Sequence, residues 1–336
     1  MIQYVVLGCG PAGRAAAAEI RRRDRGGRVT MVSREAVPFY LKPAIADFAA
    51  GRAKREEVVI PDARLVADSD VEVRAGARVM NLFPHESRVL LSDGTSLYFD
   101  RLLIATGGAP VLEGYAARLR NKVQTLFTFA DAVRVARSGL AKGAWVAVSG
   151  AGRPGMEAVR TFVLLGCRVV YLTSHPRFWS ETVGMARPVA MERLMASKVE
   201  VLFDEAVLDV LDLGGEAYRM VTSSRRTIDV SMVCEAGELA PDTDFLEGSG
   251  LLLDEGVVVD LELRTNFDNI YAAGDAARVY DVEEGWHRVN FGWKSAHAQG
   301  LVAGHNLVEG GGREVTLGEG HFDVFEGAQT ADRWKA

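Results

Sequence analysis

The sequence predicts an α/β fold made of two strand–turn–helix–strand units, on three observations. A short apolar run leads into a glycine-rich turn and a helix-forming stretch near the N-terminus. The same arrangement recurs about 140 residues later. Each end of the region around the second copy joins a Gly/Pro-rich segment, Gly107-Gly108-Ala109-Pro110 and Gly237-Glu238-Leu239-Ala240-Pro241, where a chain passes readily between domains.

In the first copy, residues 2–7 are apolar and rich in β-branched side chains, Gly8-Cys9-Gly10-Pro11-Ala12-Gly13 comes next, and residues 14–23 favour helix. A glycine pattern of this kind is weak alone and informative between a strand and a helix. The first Gly makes a tight turn, the second lets the backbone approach a pyrophosphate, and the third packs helix on strand, with the helix N-terminus facing the anion. A second apolar run, residues 29–32, precedes Ser33-Arg34-Glu35. A carboxylate just past this strand accepts a hydrogen bond from an adenosine ribose. Glu35 is the candidate, against the alternative of a solvated loop charge.

In the second copy, residues 145–148 lead into Gly150-Ala151-Gly152-Arg153-Pro154-Gly155-Met156-Glu157, an apolar helix runs to about residue 165, and residues 169–172 read as the next strand. Two such turns in matching settings imply two nucleotide sites. Pro154 removes an N–H and Arg153 adds a charge close to where a pyrophosphate would lie, so this second site is expected to bind unusually, or to be degenerate.

Bulk properties narrow the function. At 336 residues, 48% apolar and 25% charged, the chain suits two domains with cores of their own. A formal charge of −6 offers no basic field for a nucleic-acid backbone, and Arg21, Arg22 and Arg23 read as a solvated helix face. No apolar run reaches the roughly 18 residues of a membrane span. The N-terminus enters a strand pattern rather than a signal peptide, so a cytoplasmic location is expected. Cys9, Cys167 and Cys234 are far apart, which points away from disulfides and from a dithiol centre, and electron chemistry would need a cofactor. His175, His287, His297 and His305 lack ligand spacing, so no metal is expected. No G-x-S-x-G elbow supports a hydrolase.

The two turns, together with Pro38-Phe39-Tyr40-Leu41-Lys42-Pro43, Tyr98-Phe99-Asp100-Arg101-Leu102-Leu103-Ile104-Ala105-Thr106-Gly107 and Asn269-Ile270-Tyr271-Ala272-Ala273-Gly274-Asp275-Ala276, resemble the FAD-dependent pyridine nucleotide-disulfide oxidoreductase superfamily. Within it they resemble the branch of NADH:rubredoxin reductases, ferredoxin reductases and the flavoprotein part of nitrite reductases. The resemblance implies two Rossmann-like, glutathione reductase-type domains. Residues 1–110 and 238–318 would bind FAD, residues 111–237 would bind NADH or NADPH, and residues 319–336 would form a short tail in place of the family's C-terminal dimerisation domain. It implies that FAD meets Gly8, Gly10, Pro11, Ala12, Gly13, Glu35, Lys42, Pro43, Val79, Ala105, Thr106, Gly107, Gly274, Asp275 and Trp293. The pyridine nucleotide would meet Gly150, Gly152, Arg153, Gly155, His175, Arg177 and Gly237.

Several of these residues also have plainer readings. Asp275 comes after a short strand and a close turn, and is expected at the start of a helix, where a carboxylate serves as a cap. Lys42 is either the cation beside the flavin and its phosphates or a surface lysine. Glu157 is either carried toward the nicotinamide or stabilised by the dipole of the first helical turn. These two residues are the catalytic candidates. Trp293, before a helix through Ala296, Gln299 and Gly300, is either a flavin contact or core. Leu41 and Asp47 depart from the family pattern, where a polar residue and a Lys or His occur. The strand end Leu172-Thr173-Ser174-His175-Pro176-Arg177 has no acid for an NADH ribose, and His175 with Arg177 suits a 2′-phosphate, which favours NADPH. The expected acceptor is a small redox protein such as rubredoxin or ferredoxin, and the alternative is an electron-relay subunit of a larger redox complex.

Overall fold

The computed structural model describes residues 1–37, 39–60, 71–150, 152–173, 197–237, 239–282 and 284–316, the Arg153 side chain excepted. The chain divides into two compact units. Among the described residues, the first comprises Met1–Tyr40, Val59–Ala109 and residues 240–316, and the second Leu41–Val58 and Pro110–Leu239. Both are Rossmann-like.

In the first unit, β1 (Gln3–Leu7), β2 (Arg28–Ser33), β3 (Val71–Ala75), β7 (Arg101–Ile104) and β18 (Ile270–Ala272) form a parallel sheet in the order β18-β7-β1-β2-β3. The chain moves outward from β1 in one direction through β2 and β3, then returns to the other side of β1 as β7. The order therefore reverses between β1 and β7, and a crevice opens at their C-terminal ends. The central strands are buried on both faces, which explains their unbroken apolar runs: Tyr4, Val6, Leu102, Leu103 and Tyr271 lie in one core. Helix α1 (Pro11–Arg23) comes directly after β1. Two small sheets complete the unit, β4 (Val79–Phe83) with β5 (Arg88–Leu91) and β6 (Ser96–Tyr98), and β17 (Val257–Val259) with β19 (Ala277–Asp281) and β20 (Trp286–Val289). The short strands β8 (Gly108–Pro110) and β16 (Leu239–Pro241) lie where the chain passes from one unit to the other.

The second unit repeats the plan with β9 (Trp145–Ser149), β10 (Arg168–Thr173), β11 (Val199–Phe203) and β15 (Met232–Glu235), in the parallel order β11-β10-β9-β15. Here the reversal lies between β9 and β15. Its other described elements are α2 (Ile45–Ala49), α3 (Arg55–Val58), α4 (Gly114–Arg118), α5 (Phe129–Ala136), α6 (Gly152–Leu164) and the antiparallel β12 (Val207–Gly214), β13 (Ala217–Thr222) and β14 (Thr227–Val230). α5 is held by a complete capping box, in which Thr128 and Asp131 each accept from the other's backbone N–H.

Residues 41–58, expected with the first domain, pack in the second unit. Asp47, almost fully buried, ion-pairs with Arg160 of α6 at 2.7 Å, Phe48 packs on Phe129, and the Lys42 ammonium lies 3.0 Å from the centroid of Phe127. The arginine cluster also differs from a solvated face. Arg21 is buried and donates to the carbonyls of Asp24 and Gly27, closing the C-terminus of α1, while Arg22 and Arg23 both pair with Glu19. Those carbonyls would otherwise lack donors, so a side chain that caps them is drawn inward.

Two nucleotide crevices and the residues that shape them

The glycines of the first turn differ in what surrounds them. Gly8 has φ +112°, and a Cβ there would stand 2.0 Å from the Ala105 carbonyl oxygen across the crevice. A Cβ on Gly13 would stand 2.0 Å from the Gly8 carbonyl oxygen, so this glycine lets α1 press onto the turn. A Cβ on Gly10 would meet nothing within 4 Å, and the residue is exposed. The protein's own packing places no demand on Gly10; what its bare backbone leaves open is the surface over the start of α1. That helix has no side-chain cap, and Pro11 opens it, where a missing N–H costs nothing. An uncapped helix start beside an open glycine fits a phosphate-bearing ligand.

The surrounding residues frame this opening. The Ala105 N–H donates to the Leu7 carbonyl, Thr106 Oγ1 donates to the Asp242 carbonyl at 2.8 Å, and Gly107 turns at φ +75° while its carbonyl accepts from Asp242. Glu35 lies two residues past β2, and its carboxylate accepts from Tyr40 Oη at 3.1 Å, so it is oriented rather than freely solvated. Val79 opens β4 and is buried in the core of the unit.

Asp275 departs from expectation. It sits in a single 3-10 turn, Gly274–Ala276, that runs directly into β19, and no α-helix starts at this point. The helix it serves comes later in the chain: Asp275 Oδ1 accepts from the Gly292 N–H at the start of α7 (Trp293–Glu309) at 3.2 Å. Trp293 is the first residue of that helix and is half-buried. α7 lies against α1 because small residues meet: a Cβ on Gly300 would be 2.2 Å from the Ala12 carbonyl oxygen, and one on Gly304 would be 2.7 Å from that of Ala16. Gly274 fits the same seam at φ +73°, and its N–H donates to the fully buried Gln299 at 2.7 Å.

The second crevice repeats the first. Gly150 has φ +136°, and a Cβ there would stand 2.2 Å from the Ala236 carbonyl oxygen and 2.6 Å from the Gly237 nitrogen. A Cβ on Gly155 would be 3.0 Å from the Gly150 carbonyl oxygen and 3.0 Å from the hydroxyl of the buried Tyr171. Gly152 opens α6, which puts Pro154 in the first turn, where its missing N–H had no intrahelical acceptor to lose. Glu157 falls in the second turn instead of the first, beyond the short reach of the helix dipole. Thr173 ends β10 and is buried. His175 and Arg177 lie outside the described residues, as does the Arg153 side chain.

Sequence reasoning passed over Glu235, the last residue of β15 and next to this crevice. Its carboxylate accepts from Tyr115 Oη, and burial pushes its protonation upward while bonds from Tyr115, Ser149 and the Gly237 N–H act the other way. Burial, then the Glu235 charge, pushes the Tyr115 hydroxyl upward in turn. The signal available was an acid in the otherwise apolar run Met232-Val233-Cys234-Glu235.

Comparison with known proteins decides the family. Residues 2–300 match the pyridine nucleotide-disulphide oxidoreductase family across both crevices. The chain belongs to that family. Among the proteins similar to it is the ferredoxin–NAD(+) reductase component of the anthranilate 1,2-dioxygenase system of Burkholderia cepacia, 28% identical over 313 residues, which cover 91% of this chain and 75% of that protein. The epsilon subunit of the NADH-dependent phenylglyoxylate dehydrogenase of Aromatoleum evansii is 24% identical over 302 residues, covering 90% and 71%. The crystal structure of a covalent putidaredoxin reductase–putidaredoxin complex aligns with a TM-score of 0.83 at 24% identity, over 94% of this chain and 77% of that one, a likeness of fold. Among the described residues, no helix is long and apolar enough to cross a membrane, and no group of three or more His, Cys, Asp or Glu is placed to hold a metal.

Proposed function

We propose that the protein is an FAD-dependent oxidoreductase that takes electrons from NADPH or NADH and passes them to a small redox protein of the rubredoxin or ferredoxin kind. The observation that carries this reading is the duplication. In each unit of a family-matched chain, a positive-φ glycine is pressed against the opposite strand end at the point where the sheet order reverses.

The first crevice is assigned to FAD. The flavin, when bound, supplies the ability to accept a hydride and release electrons singly. The chain's own residues bind and orient. Gly10 admits the backbone to the pyrophosphate, the start of α1 faces its charge, and Glu35, fixed by Tyr40, accepts from the adenosine ribose. Gly8, Pro11, Ala12, Gly13, Ala105, Thr106, Gly107, Gly274 and Asp275 shape the opening, with Val79 and Trp293 further contacts. Lys42, beside Pro43, and Glu157 are the residues assigned to the reacting rings. The second crevice is assigned to the pyridine nucleotide through Gly150, Gly152, Arg153, Gly155 and Gly237. Thr173 leaves the strand end without an acid, and His175 and Arg177 supply positive charge for a 2′-phosphate, which supports a preference for NADPH.

The test is anaerobic mixing of the yellow protein with NADH or NADPH, with oxidised ferredoxin or rubredoxin added afterwards. Rapid bleaching and subsequent reduction of the added protein are expected. Arg177→Ala should weaken NADPH about tenfold more than NADH, the worth of one charge-assisted hydrogen bond; equal weakening of both refutes the preference. A second reading, an electron-relay subunit with a silent second crevice, is favoured by the relative from Aromatoleum evansii, itself a subunit by name. Absence of bleaching with either nucleotide would support it. The placement of Pro154 in the first turn of α6 weighs toward a working crevice.

A further inference from the structure

The two crevices differ at one pair of positions. In the first, the residues paired across β1 and β7 just before the glycine turn are Leu7 and Ile104, both fully buried. In the second, the corresponding pair across β9 and β15 is Ser149 and Glu235. The next residue along the chain fixes the correspondence: Ile104 precedes the Ala105 carbonyl that bars a side chain on Gly8, and Glu235 precedes the Ala236 carbonyl that bars one on Gly150. An ionisable group therefore stands where the sister unit uses isoleucine. Ser149 and Glu235 are half-buried, and even partial burial of a carboxylate costs free energy that an apolar residue would not, so a role in the crevice is the physical alternative to simple packing.

Its contacts tie it to the turn. Tyr115 Oη, Ser149 and the Gly237 N–H all donate to the carboxylate, and Oε1 lies 2.7 Å from where a Cβ on Gly237 would stand. The Gly237 nitrogen in turn lies 2.6 Å from where a Cβ on Gly150 would stand, next to the closer Ala236 carbonyl. Carboxylate, Gly237 and glycine turn thus form one packed assembly at the reversal point of the sheet. Resting on the assignment of this crevice to a pyridine nucleotide, we propose that Glu235 is a positioning residue that holds Gly237 and Ser149 against the Gly150 turn and takes up a proton from solvent when the nucleotide binds.

The driving force is electrostatic. A pyrophosphate arriving over the turn brings negative charge toward a carboxylate that is already poorly hydrated, and neutralising the carboxylate removes the repulsion. Burial has moved Glu235 in that direction before any ligand arrives. The ionisable groups around it, among the described residues, are Tyr115 from α4 and Cys234 from its own strand, both shifted upward by burial first, with Asp131 beyond Cys234. Among the described residues, none of the groups that set its protonation is cationic. The neutral acid keeps the assembly intact, because its carbonyl oxygen still accepts while its hydroxyl supplies a donor. The bound carboxyl therefore titrates higher than the free one, so affinity is greatest at low pH and falls as pH rises between the two values.

The experiment titrates the intact FAD-loaded protein with NAD+, which has no group of its own titrating near neutrality, by calorimetry in two buffers of different ionisation enthalpy. Through the transition the wild type should take up as much as one proton per nucleotide, with Kd rising by up to about tenfold per pH unit. Glu235→Gln keeps the shape and an acceptor oxygen, so it should bind without proton uptake and with a flat pH profile. Tyr115→Phe, a variant on a different element, removes one donor to the carboxylate and should move the break to higher pH. Wild-type binding without proton uptake, or an unchanged slope in Glu235→Gln, overturns the proposal and leaves the nucleotide assignment standing. Failure of the wild type to bind NAD+ or NADP+ at any pH overturns both.

Discussion

Replacing Gly10 and Gly8 separately by alanine distinguishes a glycine kept for a ligand from one kept for the fold. Gly10 has ordinary extended backbone, φ −70° and ψ −172°, and its added methyl meets no protein atom within 4 Å. Gly10→Ala should leave the flavin-free protein within about 1 kcal/mol of wild type, since alanine narrows the unfolded ensemble but is a poorer residue than glycine at the start of α1. On the assignment of the FAD pyrophosphate to this crevice, the added methyl enters its approach, and losing one charge-assisted bond at about 1.5–3 kcal/mol should weaken FAD roughly ten- to hundredfold. Gly8→Ala has the opposite profile. Its φ of +112° and the 2.0 Å approach to Ala105 combine positive-φ strain with overpacking against backbone. These contribute about 1–2 kcal/mol and 1–3 kcal/mol, a total of roughly 2–5 kcal/mol against the apoprotein. Urea unfolding of the flavin-free variants gives the first quantity and titration of each with FAD the second. The reasoning is refuted if Gly10→Ala binds FAD within about threefold of wild type, or if Gly8→Ala unfolds at the wild-type midpoint.

Two further outcomes concern the forces that hold each unit together. Asp47→Ala breaks a pair whose carboxylate is 4% exposed and whose arginine is 19% exposed, so the loss should be about 3 kcal/mol, the low end for a buried pair. Chemical unfolding of Asp47→Ala, Arg160→Ala and the double variant measures the coupling, and a value below about 0.5 kcal/mol refutes the pinning of residues 41–58. Glu19 is held down to about 2, first by its bond to Arg22 and further by Arg23, against the effect of burial. A depressed carboxyl contributes stability above its unfolded value near 4.3 and loses it as pH falls toward the folded one. The stability advantage of wild type over Glu19→Gln should therefore shrink from about pH 4.3 down to pH 2, and an advantage constant over that range refutes the assignment.

The sequence made the two crevices legible because their determinants are local. A strand, a glycine turn and a helix sit within 20 or so residues, and each glycine answers to a neighbour in the same motif or to the one strand beside it. Ala105 and Gly274 were legible through their short strand–turn signatures. The hidden features depend on which surfaces meet. Arg21 looks like part of a charged run, yet the chain folds it under to cap α1. The neighbours of Asp275 predict a helix starting at that residue, whereas the helix whose start it holds lies 17 residues on. Residues 41–58 come after the first unit's opening strands in sequence but are claimed by Phe129, Phe127 and Arg160 of the second. Glu235 has no motif, since its partners come from α4, β9 and its own strand end, and only the register of β9 with β15 brings them together.

The first unit is completed by a segment that returns after the whole second unit has intervened. β18 and α7 supply the edge of its sheet, the Gly274 turn and the helix that packs on α1. The seam between α1 and α7 is made of Ala12, Ala16, Gly300 and Gly304, whose backbones approach as closely as carbonyl oxygens allow. So close a fit admits no extra methyl, and for that reason it fixes the height and rotation of α7 over α1 more tightly than larger, adaptable side chains would. That precision is transmitted to Gly292 and Asp275 at one end of α7 and to Gln299 under Gly274. Entropy does not forbid the insertion, because the cost of closing a loop rises only logarithmically with its length, and the inserted unit folds on a core of its own. The arrangement thus places the last-made part of the first unit's crevice under the control of small residues spaced four apart on α7.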